Sequence, residues 1–90
     1  MSERAEHIGN ILTQELKPQA IEIIDDSDRH AGHAGARESG GGHFSIDIVS
    51  ESFAGLTRIQ RHRMVYEALK NEFGPMIHAL SIRAMSPEEV

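Results

Sequence analysis

Apolar residues recur along this chain at helical spacing, then in alternation, then at helical spacing again, and each change of period marks a boundary. Ala5, Ile8, Leu12 and Leu16, with Ile11 beside them, predict an amphipathic helix over residues 2–16 with Ser2 as its cap. Lys17-Pro18 ends it, because proline disfavours helical geometry in the residue before it. Ala20-Ile-Glu-Ile-Ile-Asp25 alternates and is β-branched, which predicts a half-buried strand with Ile21 and Ile23 inward. His43-Phe-Ser-Ile-Asp-Ile-Val-Ser50 alternates again, with Phe44, Ile46 and Ile48 on the core face and His43, Ser45 and Asp47 on the other. These two strands predict a long-looped antiparallel hairpin.

After a turn at Phe53-Ala-Gly-Leu, with a short helical turn near 53–57, Thr57 can cap a second helix running to about Phe73. Its expected buried stripe is Ile59, His62, Val65, Tyr66, Leu69 and Phe73. Gly74-Pro75 stops it, and Met76 to Ala84 reads as a third strand. Ser86-Pro87-Glu88-Glu89 looks like a capped helical start, with proline in the first turn and acids favourable for the helix dipole. The order α-β-β-α-β predicts an α+β fold in one domain spanning residues 1–90, a three-stranded mixed sheet with helices on one face. No internal repeat is apparent.

The interval from about 26 to 42 breaks the pattern. Between Asp25 and Gly42 lie five of the eight glycines, together with Asp26, Asp28, Arg29, His30, His33 and Arg37, and no period. A flexible loop of this length inside a compact domain is usually functional or disordered.

Composition narrows the possibilities. Ninety residues with 39% hydrophobic and 4% aromatic content build one modest aliphatic core. Nine Lys+Arg against fourteen Asp+Glu give a formal charge of −5, which argues against broad nucleic-acid binding by phosphate neutralisation. No apolar run approaches the roughly 18 residues that span a bilayer, and the first residues lack the apolar core of a signal peptide, so a cytoplasmic location without membrane contact is expected. Six histidines and no cysteine raise the chance of a metal or proton-handling site, and any metal held by this chain alone must use nitrogen and oxygen donors. A disulfide framework is excluded.

Several stretches together resemble one family: the aspartate- and histidine-bearing loop, the His-Phe opening the second strand, Phe53-Ala-Gly-Leu, Gln60-Arg-His-Arg-Met-Val-Tyr-Glu-Ala-Leu69, and Ile77-His-Ala-Leu-Ser-Ile82. They look like the BolA family, with the resemblance running from about residue 8 to 87. The resemblance implies a domain similar to class II KH folds. It also implies a non-enzymatic role in iron–sulfur cluster assembly or trafficking beside a monothiol glutaredoxin. In such heterodimers a [2Fe-2S] cluster is bridged between partners, with sulfur ligands from the glutaredoxin cysteine and from glutathione. The BolA-like chain supplies a histidine and a loop ligand, and holds no cofactor alone, as a monomer or weak homodimer.

Carried over by position, the histidine of the His-Ala-Leu segment is His78. The loop ligand is a histidine or a cysteine in this family, and this chain has no cysteine; His30 is the better match, with His33 as its alternative. Histidine in place of thiolate on one iron raises the cluster potential and makes it pH-sensitive, which suits a transferable cluster. Plainer readings stand beside these. By parity His78 shares a strand face with Leu80 and Ile82, where isolated histidines usually pack and hydrogen-bond. His30 and His33 fit a solvated loop with adventitious metal affinity, and their spacing matches no closed zinc site. His62, on the apolar stripe, reads as structural; His43 faces an exposed patch and His7 the surface. No nucleophile-elbow or phosphate-loop context accompanies the serines and glycines.

The resemblance also carries a second class of function, because BolA-like proteins have been regarded as transcriptional regulators. Arg58, Arg61 and Arg63 gather on one helix and are the candidate contacts for DNA or for a protein partner. Phe53-Ala-Gly-Leu-Thr-Arg58 has one glycine where a Gly-x-x-Gly backbone clamp needs two. A solvated helix face explains the same charges.

Overall fold

The computed structural model describes residues 3–26 and 42–90. Five elements follow in order: α1 (Glu3–Leu16), β1 (Ala20–Asp25), β2 (His43–Val49), α2 (Arg58–Ala68) and β3 (Ala79–Met85). Short 3-10 turns lie at Glu51–Phe53, Lys70–Glu72 and Pro87–Glu89. β2 is central, antiparallel to β1 and parallel to β3. A parallel pair needs a crossover of a dozen or more residues, and α2 supplies it.

The core lies between one sheet face and the two helices. Phe44, Ile46 and Ile48 project from β2 against Ile8, Leu12 and Leu16 of α1, Val65 of α2 and Leu69 just after it, with Phe53 and Ile77 closing the sides. Full burial of such side chains favours folding by about 1.5–3 kcal/mol each. Ile21, Ile23, Leu80, Ile82 and Ala84 extend this face and stay half-buried. Among the described residues nothing covers the opposite face: Glu22, Asp47 and Arg83 are exposed and sit side by side in register across the three strands. Helices on one face of an α+β mixed sheet are therefore observed as expected.

The ends of the helices are satisfied locally. Lys17 adopts a left-handed φ of 45° and donates its N–H to Thr13 O at 3.1 Å. The Leu16 carbonyl accepts Ser50 Oγ at 2.7 Å, which accounts for a serine only 1% exposed among apolar neighbours. Thr57 caps α2 through a reciprocal box with Gln60, at 2.9 and 3.1 Å.

Three expectations are corrected. The buried stripe of α2 is rotated: Ile59 is 66% and Tyr66 42% exposed, while Met64 and Ala68 pack on the core beside Val65 and Leu69. α2 ends at Ala68 and tightens into a 3-10 turn over Lys70–Glu72, rather than continuing as one helix to Phe73. The third strand begins at Ala79, not Met76, because Phe73 and Ile77 form an isolated bridge first and the chain turns before it joins β2.

Candidate functional site

His78 is exposed and immediately precedes β3. The expectation that it shares the inward face of Leu80 and Ile82 fails for a backbone reason. The N–H groups of both His78 and Ala79 donate to the one carbonyl of Gly42, at 2.7 and 3.1 Å, so strand alternation starts only at Ala79. No described side chain or backbone group bonds the His78 ring, and a solvent-facing imidazole is free to ligate.

The corner that carries His78 is tightly packed. Gly42 is buried with φ +83°, and a Cβ there would lie 2.8 Å from Met76 O and 3.1 Å from His78 N. Only glycine allows this close approach. On the other side of β2, Asp26 N–H donates to His43 O at 2.7 Å, and Asp26 Oδ2 accepts Ser45 Oγ at 2.5 Å. Asp26 and Gly42, which bound the glycine- and histidine-rich interval, are thus fixed at the same end of the sheet as His78. His30 and His33 lie outside the described residues. Among the described residues, no group of three or more His, Asp or Glu is placed to hold a metal ion.

The three arginines of α2 differ in role. Arg58 and Arg63 are exposed with no partner among the described residues. Arg61 has an internal one: its side chain, 11% exposed, donates Nε to Leu56 O at 3.1 Å, Nη1 to Ala84 O at 3.1 Å, and both Nη groups to Glu89 at 2.5 and 2.9 Å. This fork pulls the Glu89 carboxyl down to about 2, chiefly through the Arg61 hydrogen bond and then the Ser86 backbone N–H, and raises Arg61 further. Glu89 Oε1 also accepts Ser86 N–H at 2.9 Å, so the last turn is fastened to α2 and β3 together. The sequence signal for this brace was the Ser-Pro-Glu-Glu capping pattern, which identifies Glu89 as a capping acid but not its distant arginine.

Leu56, Arg58, Arg61, His62, Ile82, Arg83, Ala84 and Glu89 line an open groove of about 390 Å³ between α2 and β3. His62 is half-buried in this wall rather than in the core. His7, read as plain surface, reaches Glu72 at 3.1 Å and ties α1 to the turn after α2.

The structure is a small α+β domain with an exposed histidine at one end of its sheet, and comparison with known proteins gives its family. The family model described as BolA-like protein matches residues 12–89. The chain is 42% identical over 94 residues to "SufE-like protein 1, chloroplastic/mitochondrial" of Arabidopsis thaliana, covering 100% of this chain and 25% of that protein. It is 42% identical to "Protein BOLA1, chloroplastic" of the same plant, covering 96% and 55%. To the "UV-induced protein uvi31" of Schizosaccharomyces pombe it is 38% identical, covering 97% and 89%. Among solved structures, the BolA domain of SufE1 from Arabidopsis thaliana superposes with a TM-score of 0.85 at 40% identity, covering 100% of this chain and 99% of that one. BolA1 from the same plant gives 0.82 at 36%, covering 100% and 99%. The chain belongs to the BolA-like family. It spans a quarter of the SufE-like relative and about half of BOLA1.

Proposed function

We propose that this BolA-like chain is a non-enzymatic adaptor in iron–sulfur cluster assembly or trafficking, which docks on a monothiol glutaredoxin with glutathione and gives His78 to a bridging [2Fe-2S] cluster. The observation that carries the reading is the exposed His78 imidazole, without a partner among the described residues, on a backbone corner that only glycine at position 42 permits. A ligand held this way loses little freedom on binding. His30 is the second ligand, with His33 as its alternative. The thiolates come from the glutaredoxin and glutathione, because this chain has no cysteine. That a BolA domain occurs within a protein named SufE-like supports an iron–sulfur related role. Arg58 and Arg63, exposed on α2, suit the anionic groups of glutathione or partner carboxylates.

Visible circular dichroism of a cluster-loaded monothiol glutaredoxin tests this. Adding wild type should change the spectrum, His78→Ala should abolish the change, and His62→Gln should preserve it. An unchanged spectrum with wild type contradicts the proposal. Loss with His30→Ala and not with His33→Ala would assign the loop ligand.

A further inference from the structure

β3 pairs with β2 on one side only, and its other edge has no strand neighbour among the described residues. The bonds at its two ends fix which residues face outward. Ala79 N–H points to β2, bonding Gly42 O, and Met85 O points there too, accepting Ser50 N–H at 3.0 Å. Alternation then turns Ala79, Ser81, Arg83 and Met85 toward β2, and the N–H and C=O groups of Leu80, Ile82 and Ala84 away from it. Of these outward groups the Ala84 carbonyl is covered by Arg61 Nη1.

This edge forms one wall of the groove between β3 and α2, since Ile82, Arg83 and Ala84 line it along with Arg58 and His62. Arg58 and Arg83 are exposed and have no carboxylate partner among the described residues. The one carboxylate in the groove is the chain's own Glu89, seated on Arg61. The lining therefore already shows which charge it accepts.

We propose that the outer edge of β3 is a docking site for an extended acidic peptide segment, which adds as a further strand beside Leu80, Ile82 and Ala84 while its carboxylates meet Arg58 and Arg83. Strand addition supplies affinity through main-chain hydrogen bonds and specificity through alternate side chains. The Arg61–Glu89 fork ends the available edge at Ala84 and so limits the added segment to a few residues. A short edge blocked at one end also resists unlimited sheet growth. Single-stranded nucleic acid would attract the same arginines, but its backbone has no alternating N–H and C=O groups to match those of Leu80 and Ile82. The site does not depend on the cluster reading, and cluster-free protein is the material that tests it.

The probe is an acetyl- and amide-capped heptapeptide, Thr-Thr-Glu-Glu-Glu-Thr-Thr, whose adjacent glutamates reach both faces of the added strand, followed by NMR titration and amide hydrogen exchange. Binding should slow exchange at Leu80, Ile82 and Ala84 while Ser81 and Arg83, already bonded within the sheet, stay unchanged. Two N-methylated forms of the peptide, each blocking one alternate set of amides, leave the protein untouched. One set should abolish binding and the other should be tolerated. Arg58→Ala with Arg83→Ala should weaken binding at least tenfold, as should replacing the peptide's Glu by Gln. No binding at millimolar peptide, equal binding of both N-methylated forms, or protection spread evenly along 80–84 would overturn the proposal. Oligothymidylate shifting the same resonances while the peptide shifts none would assign the groove to nucleic acid instead.

Discussion

The two ends of β3 treat charged and titratable side chains in opposite ways. At its start, His78 is exposed and bonded to nothing described, on a corner braced by Gly42. At its end, Arg61 is nearly covered and spends its donors on Leu56 O, Ala84 O and Glu89. A histidine and an arginine that both looked like docking groups in sequence thus serve different ends. The structural side chain is the one whose hydrogen-bond capacity is filled from within the chain, and the one left open among the described residues is the one the proposed function turns outward.

Breaking the first corner should have the largest effect on stability. Gly42→Ala places a side chain at a left-handed φ and drives its Cβ against Met76 O, so we expect a loss of about 1–3 kcal/mol from the backbone conformation alone. Urea denaturation measures it, and a shift of the His78 amide resonance should accompany it. A variant as stable as wild type would mean that the corner does not brace His78.

Arg61→Ala removes the donors to two backbone carbonyls and unfastens the last turn. Its urea midpoint should fall clearly below that of Arg63→Ala, an exposed arginine of the same helix with no partner among the described residues. Equal midpoints would erase the distinction drawn between the two arginines.

Acid should loosen the second end. Glu89 sits at about 2 against an ordinary 4.5, so the stability it contributes is fully present above about 4.5 and is lost as pH falls toward about 2. Because Glu89 is half open to water, added salt should shrink the effect. Stability of Glu89→Gln measured across this window should vary less with pH than that of wild type; parallel curves would contradict the assigned pair.

His78→Ala should have the smallest effect on folding, within about 0.5 kcal/mol of wild type, since an exposed side chain without partners among the described residues contributes little. Under the proposed function its consequence belongs to the complex rather than to the fold.

Much of this arrangement was legible in the sequence. Period-two alternation assigned Phe44, Ile46 and Ile48 to the core, and Thr57 announced its own cap. The orientation of α2 was not legible. Two stripes share Val65 and Leu69, one adding Ile59, His62 and Tyr66 and the other Met64 and Ala68, and helical spacing alone admits both. The fold selects the second, because it brings Arg61 to the Leu56 and Ala84 carbonyls, a contact between residues distant in sequence. His78 was misplaced by parity for a related reason. Alternation counts residues within a strand, and a shared acceptor at Gly42 shifts where the strand begins. What made His78 stand out was its place in His-Ala-Leu, carried by resemblance and not by periodicity.

The most direct measurement of the central claim is pulsed electron paramagnetic resonance on the reduced cluster-bridged complex with a monothiol glutaredoxin, with ¹⁵N-histidine placed in this chain alone. We expect a strong ¹⁵N coupling to the cluster that disappears with His78→Ala and persists with His62→Gln. A complex that forms with its cluster intact but shows no coupling to this chain's histidines, or the same coupling after His78→Ala, would contradict the account.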